Sequence, residues 1–309
     1  MSPPARRDAV AAAFAAVLLT GVIAANNVPA HGGDFSYYWR AASVLKSGNN
    51  PYAEGFLYPF PTILLLLALT VLPVKWGAVF FIALSVGAMV YGVVRVFGWG
   101  GLAILVSTSF WSNVWNLQWG PIVVAAALVP GLGFLAAGKA TIGAAALTYR
   151  PNKWAIGGFA ALVGLSLVVL PTWPFGFYRS LPLAPAPHAP PVWWPFGVVG
   201  LVGLLRFREP RGRILAACTL IPASAQLYDH LLVWLAVRDW RDSIVLSTCG
   251  WIGYIAFLAT APHDLTKDAT SAQLTIAVSV YVPAAIMMLR SRRPACEDAA
   301  DAELVPTPG

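Results

Sequence analysis

The sequence predicts an all-α, polytopic integral membrane protein. Three observations carry that prediction. Of 309 residues, 58% are hydrophobic and 11% are charged, whereas a soluble domain carries about 25% charged residues. The mean hydropathy is +0.69, and long apolar runs recur from end to end. Those runs are continuous, as in ILLLLALTVL at 63–72, and lack the dyad alternation of a transmembrane β-barrel. The formal charge of +7 is not a nucleic-acid footprint. The basic residues fall in short clusters between apolar runs, which is the positive-inside pattern. The clusters are Arg6-Arg7, Arg150/Lys153, Arg206/Arg208/Arg211/Arg213, Arg238/Arg241 and Arg290/Arg292/Arg293. Cys218, Cys249 and Cys296 are too few and too scattered for a disulfide framework or a metal cluster.

Taken in order, the first apolar stretch is 9–28. It reads as a retained helix more than as a signal peptide, because Pro29 occupies the middle of Val28-Pro29-Ala30, which loosely resembles a cleavage site. Residues 29–59 are then exported. Within them Asp34 stands where a helix over 35–46 would begin, and Phe35, Trp39, Ala42 and Leu45 share one face. That composition fits an amphipathic helix at the membrane surface, ended by Gly48-Asn49-Asn50-Pro51.

Further crossings are expected at 60–73, 76–97, 100–116, 120–138, 154–171, 192–206, 243–261 and 272–290. Residues 139–150 read as a short or re-entrant leg. Residues 213–238 read as a broken hairpin bent near Gln226–His230. With both returning the chain to the side it left, every basic cluster is cytoplasmic and about 10–12 membrane legs result. Broken helices at membrane depth are tolerated where they are buried in protein or line a wet cavity, so a cavity open to the exterior follows. Residues 171–195 hold eight prolines and form an exported loop, either a stiff connector or a lip over the site. Residues 1–293 make one transmembrane domain. The tail 294–309 has the composition of a disordered cytoplasmic segment.

Ionisable groups beside a bilayer are costly and are functional candidates by default. Asp34 follows Gly32-Gly33 and precedes Phe35, Tyr37 and Tyr38. Two readings stand: a helix N-cap, or a carboxylate that accepts a proton from a sugar hydroxyl while rings stack on the sugar. Lys139 either snorkels or holds a phosphate as a point charge. Asp229-His230 is a general-acid pair, a phosphate contact or a structural pair. Gln118 marks a polar break between two apolar runs. No zinc spacing, P-loop or dinucleotide fingerprint occurs in the sequence.

Asp34-Phe35-x-x-Tyr38-x-x-Ala41-Ala42, Gly48-x-x-Pro51-Tyr52 and Tyr58-Pro59-x-Pro61 before a Leu run together resemble the opening of glycosyltransferase family 87. Its members are polyprenol-phosphate-sugar-dependent mannosyl- and arabinofuranosyltransferases of the GT-C fold. Weaker similarities follow at Leu117-Gln118-Trp119-Gly120, Lys139-Ala140 and Ile221-Pro222 to Tyr228-Asp229-His230-Leu231-Leu232. Departures include a short chain, Pro121 after Gly120, and a missing helix pair between Trp119 and Lys139.

The resemblance implies a GT-C-like helical bundle in the plasma or inner membrane, with its active site on the extracytoplasmic side. It implies transfer of a sugar from a polyprenyl-phosphate donor to a hydroxyl of a glycolipid or glycan acceptor, with inversion. Asp34 would then be the general base. Lys139, Arg40 and His230 would receive the donor phosphate, and Tyr37, Tyr38, Trp39, Tyr58, Gln118, Tyr228 and Asp229 would line the substrate. No metal or other cofactor is expected, and no nucleic-acid partner. The alternative is a non-catalytic protein of the same fold that binds a lipid-linked sugar or serves a structural role.

Overall fold

The computed structural model describes residues 3–183, 188–237, 239–260 and 269–291. The expected tail at 294–309, with Arg238, Arg292, Arg293 and Cys296, lies outside them. Among the described residues the regular structure is helical, apart from one two-residue antiparallel ladder. Helix α1 (Pro3–Asn27) leads to α2 (Phe35–Lys46), α3 (Pro61–Leu66) and α4 (Val74–Phe97). A 3-10 segment (Trp99–Val106), α5 (Thr108–Trp115) and α6 (Gly120–Leu128) follow. Next come another 3-10 segment (Pro130–Lys139), α7 (Ala140–Tyr149), α8 (Lys153–Val169) and α9 (Trp173–Ser180). The chain then passes β1 (His188–Ala189), α10 (Val202–Leu205), α11 (Pro210–Leu220), β2 (Ala223–Ser224) and a further 3-10 segment (Leu227–Ala236). It closes with α12 (Trp240–Thr260), α13 (Ala269–Ile276), a π turn (Ala277–Tyr281) and α14 (Val282–Arg290).

Among the described residues, five stretches are long and apolar enough to cross a membrane: Arg6–Asn27, Val74–Phe97, Pro130–Tyr149, Trp240–Thr260 and Ala269–Arg290. The pair α8 and α9, bent by 97°, raises the number to 6 if it is one span. Pro171 explains the bend. It cannot donate a backbone N–H, and it forces the preceding Leu170 out of helical geometry, to ψ 84. Helix α4 is the central post, with 78% of its apolar window buried, while α1 and α12 are peripheral at 17% and 28%. Helix α1 lies along α4 and buries a stripe of small residues, Ala9, Ala12, Thr20 and Ala24. Small side chains are what allow two membrane helices to approach closely.

Most of the other expected legs are short pieces, because proline and glycine interrupt them. Residues 60–73 form an 11-residue apolar helix in two parts, Pro61–Val71. Residues 192–206 form 3-10 turns and the four-residue α10, and not a long helix. The expected division at 138/139 falls elsewhere. Helix α6 ends at Leu128 before Pro130, and Pro130–Tyr149 runs on as one 20-residue span. The bend in 213–238 lies at residues 221–226, just before the expected place. Pro222 stops α11, and Ala223 and Ser224 pair with Ala189 and His188.

Helix α2 has the expected boundaries but a rotated face. Phe35, Tyr38, Ala41 and Ala42 are buried, while Trp39 and Leu45 are half-buried at the edge. The reason is tertiary. Helix α2 packs on α3 and α4, so protein covers its apolar face and selects Tyr38 over Trp39.

Candidate functional site

Asp34 sits at the start of α2, exposed, after two glycines with left-handed backbones (Gly32 φ 82°, Gly33 φ 53°). A side chain at Gly32 would put its Cβ 2.6 Å from Val74 Cγ2, so the turn that presents Asp34 needs glycine there. The Asp34 side chain does not cap the helix. Its Oδ2 instead accepts a hydrogen bond from Gln118 Nε2 at 3.1 Å. The Gln118 Oε1 accepts from the Tyr38 hydroxyl at 3.2 Å.

Gln118 is held from behind. Leu117 takes a left-handed φ of 53°, which turns the chain between α5 and α6. The Gln118 N–H then donates to the Asn113 carbonyl at 2.9 Å. The Asn113 side chain is fully buried. Its Nδ2 donates to Ser109 O and to Tyr228 O, each at 2.8 Å. Its Oδ1 accepts from the Gly120 N–H at 2.8 Å. Both amide hydrogens and the amide oxygen are thus used. This one residue ties the Gln118 turn to the segment that carries Asp229.

That segment holds the second cluster. Asp229 and Lys139 form a buried ion pair through Oδ1 and Nζ. Asp229 Oδ2 accepts from the Ser224 N–H at 3.0 Å and from the Ser224 hydroxyl at 2.5 Å. The Lys139 ammonium lies 4.8 Å from the Tyr228 ring centre and 5.9 Å from that of Tyr58. The two clusters meet at the tyrosines, since the Tyr38 and Tyr58 rings are edge to face at 4.8 Å. Trp119 packs on Tyr38 and lies over Gly138, where an added Cβ would fall 2.1 Å from Trp119 Cζ3.

The candidates separate on this geometry. Asp34, Tyr37, Tyr38, Tyr58, Gln118, Lys139, Tyr228 and Asp229 come together. Tyr37 stacks on Phe56 at 5.6 Å and donates its hydroxyl to Gly55 O at 2.5 Å. Burial pushes its phenol up to about 12 and raises that of Tyr38 well above the ordinary value, so both are neutral donors at pH 7. Trp39 faces away, its indole N–H donating to Leu72 O at 3.2 Å. Arg40 is exposed and takes no hydrogen bond or ion pair among the described residues.

His230, expected at a donor phosphate, has both ring nitrogens occupied inside the fold. Nδ1 meets the Tyr281 hydroxyl at 2.9 Å and Nε2 meets Ser224 O at 3.1 Å, with Trp194 edge-on to the ring. Its geometry is that of a support for the Ser224–Asp229 turn.

Sequence reasoning missed Asn113, Ser224, Trp119 and Tyr281. Asn113 alone left a signal, as a polar residue inside the apolar run at 100–116. Two buried indole N–H groups at the site, those of Trp119 and Trp194, have no acceptor among the described residues. Such donors are the exception in folded proteins, and a ligand oxygen or water satisfies them. No group of three or more His, Cys, Asp or Glu among the described residues is placed to hold a metal ion. Comparison with protein-family models, with curated proteins and with solved structures finds no match for this chain.

Proposed function

We propose that this protein is a membrane glycosyltransferase. It would move a sugar, mannose or pentose-like, from a polyprenyl-phosphate donor to a hydroxyl of a glycolipid or glycan acceptor. The observation that carries the reading is the state of Asp34. Its carboxylate leaves the helix end uncapped and is held by Gln118 through one oxygen. The other oxygen takes no bond among the described residues and remains a proton acceptor at an exposed position.

In the reaction, Asp34 takes the proton of the acceptor hydroxyl as its oxygen attacks the anomeric carbon. The bond from that carbon to the phosphate oxygen breaks, and configuration inverts. The lipid phosphate leaves as an already stable anion, so cations and donors suffice to receive it. An ammonium has three N–H donors, of which Asp229 engages one through Oδ1. Lys139 therefore keeps donors for a phosphate, although its charge is balanced, and Arg40 supplies an unpaired cation. Tyr37, Tyr38 and Tyr58 form the aromatic wall suited to a sugar face. Asn113 and Gln118 fix the base, and His230 supports the Asp229 turn. The positive-inside rule, with Arg150, Lys153, Arg206–Arg213 and Arg290 on the cytoplasmic side, orients Asp34 outward.

The balanced Lys139–Asp229 pair favours a second reading, a protein that binds a lipid-linked sugar without turning it over. Membranes carrying wild-type or Asp34→Asn protein, incubated with labelled polyprenyl-phosphate sugars and a native lipid and glycan extract, separate the two. Label moving to a new product with wild type alone supports the transferase. Equal transfer by both removes Asp34 as base. Retained donor binding without transfer by either supports the second reading.

A further inference from the structure

The corner from α10 to α11, residues 206–209, ties together the ends of two membrane spans. Arg206 Nη2 donates to Ser291 O at 2.6 Å, just past the end of the span Ala269–Arg290. Arg213, in the first turn of α11, donates through Nε to Thr148 O at 3.0 Å and through Nη2 to Tyr149 O at 3.1 Å. Those carbonyls close the span Pro130–Tyr149. All three belong to helix C-termini, where the partial negative charge favours a cation. The corner therefore lies level with the ends of both spans, which is the headgroup level of a bilayer.

The charges there do not balance. Residues 206–213 carry four arginines and one acid, Glu209. Both Glu209 oxygens are taken, Oε1 by Arg206 at 3.0 Å and Oε2 by Arg211 at 2.9 Å. Arg213 also donates through Nη1 to Arg208 O at 2.8 Å. One guanidinium thus bridges Tyr149 O and Arg208 O, which makes Arg150 and Arg208 neighbours. Both are exposed, and neither has an ion-pair partner among the described residues. Arg150, Arg208 and Arg213 converge with no carboxylate left for them. The surface beside them is apolar, since Leu204, Leu205 and Phe207 stand exposed on the corner, as does Trp154 at the start of α8. This juxtaposition selects the occupant. Guanidinium groups match phosphate oxygens, and exposed aromatic and leucine side chains match the boundary between headgroups and tails. An acidic peptide would balance the charge and leave the apolar side chains in water. A zwitterionic headgroup brings no net charge. A phospholipid with a net negative headgroup satisfies both halves of the surface.

We propose that the α10–α11 corner, together with Arg150, is a binding site for an anionic phospholipid. The phosphate lies between Arg150 and Arg208, and the tails run past Leu205 and Phe207. By the positive-inside rule the lipid belongs to the cytoplasmic leaflet. The site is separate from Asp34 and does not depend on the transferase reading. Purified full-length protein in a neutral detergent would be titrated with phosphatidylglycerol or phosphatidylcholine, and the first bound lipid counted by native mass spectrometry. Phosphatidylglycerol should bind several-fold more tightly. An arginine beside an anionic headgroup contributes about fivefold in affinity, the equivalent of about 1 kcal/mol. Arg208→Gln should therefore weaken phosphatidylglycerol binding about fivefold, and Arg150→Gln/Arg208→Gln about 25-fold. Phe207→Ser should weaken it several-fold by removing the contact with the tails. Arg95→Gln, exposed at the end of α4, should leave it unchanged. The substituted side chains are exposed, so unfolding midpoints without lipid should match wild type.

Equal affinity for the two lipids, affinity indifferent to Arg150→Gln/Arg208→Gln in folded protein, or displacement of the lipid by inorganic phosphate would each overturn the proposal. So would phosphatidylglycerol that binds only after Glu297→Gln, Asp298→Asn, Asp301→Asn and Glu303→Gln are made together. The acidic end of the chain would then be the occupant.

Discussion

Removing one member of the Lys139–Asp229 pair should cost far more than removing both. The pair is sealed inside the bundle, with Lys139 5% and Asp229 4% exposed. Lys139→Met leaves a carboxylate whose remaining donors both come from Ser224. Asp229→Asn leaves an ammonium beside the Tyr228 and Tyr58 rings and an amide, without an ion-pair partner among the described residues. Breaking a buried pair in this way costs about 3–5 kcal/mol. The double variant Lys139→Met/Asp229→Asn leaves no charge behind, and the Asn oxygen still accepts from Ser224. Its cost should fall to about 1–3 kcal/mol, the scale of imperfectly satisfied buried polar groups. The two single losses therefore should not add, and a coupling energy of at least about 3 kcal/mol is expected, the upper end of the range for residues in direct contact. The assay is equilibrium unfolding in mixed micelles for wild type, both singles and the double. Additive losses would show that the pair does not hold these segments together and would remove the basis for one joined site.

The network behind Asp34 gives separable expectations. Asn113→Ala should destabilise the fold by about 2–4 kcal/mol, since it orphans the Gly120 N–H and Tyr228 O in the interior, and thermal unfolding reads this directly. Gln118→Met keeps shape and burial, so stability should fall by less than about 1.5 kcal/mol, while transfer falls because the carboxylate loses its orienting donor. Gly138→Ala should cost about 1–3 kcal/mol by overpacking against Trp119, visible as a lower unfolding midpoint and altered tryptophan fluorescence. The Tyr37 phenol is raised to about 12 in the fold, against about 10 unfolded. The folded chain thus keeps a proton that the unfolded chain releases. Stability from this group is complete below about pH 10 and is lost as pH rises toward about 12. Tyr37→Phe should flatten that alkaline decline in a pH series of unfolding midpoints.

The membrane class was legible because composition and run length are global properties that no local contact overrides. Residues 35–46 were legible as a helix because glycines and Asn49-Asn50-Pro51 bound them, and the structure ends α2 at Lys46. The buried face of α2 was not, since the neighbours that bury Tyr38 rather than Trp39 come from α3 and α4. Leg lengths were misjudged where a proline divides a long apolar run, as at Pro130, because hydropathy does not register a missing N–H. Asp34, Gln118, Lys139 and Asp229 stood out as polar residues in an apolar chain. Their partners are 84 and 90 positions apart, and a sequence without aligned relatives carries no trace of such pairings. His230 misled for a related reason. Its ring nitrogens are occupied by Ser224 and Tyr281, and nothing near it in sequence shows that.

The central claim is that the Asp34 carboxylate takes a proton from an acceptor hydroxyl. The most direct measurement is single-turnover transfer by purified wild-type, Asp34→Asn and Asp34→Glu protein loaded with a labelled polyprenyl-phosphate sugar. General-base catalysis contributes about 10²–10⁴-fold. Asp34→Asn should therefore slow transfer by at least about 100-fold at unchanged donor binding, with partial recovery in Asp34→Glu. Transfer by Asp34→Asn at the wild-type rate would contradict the account.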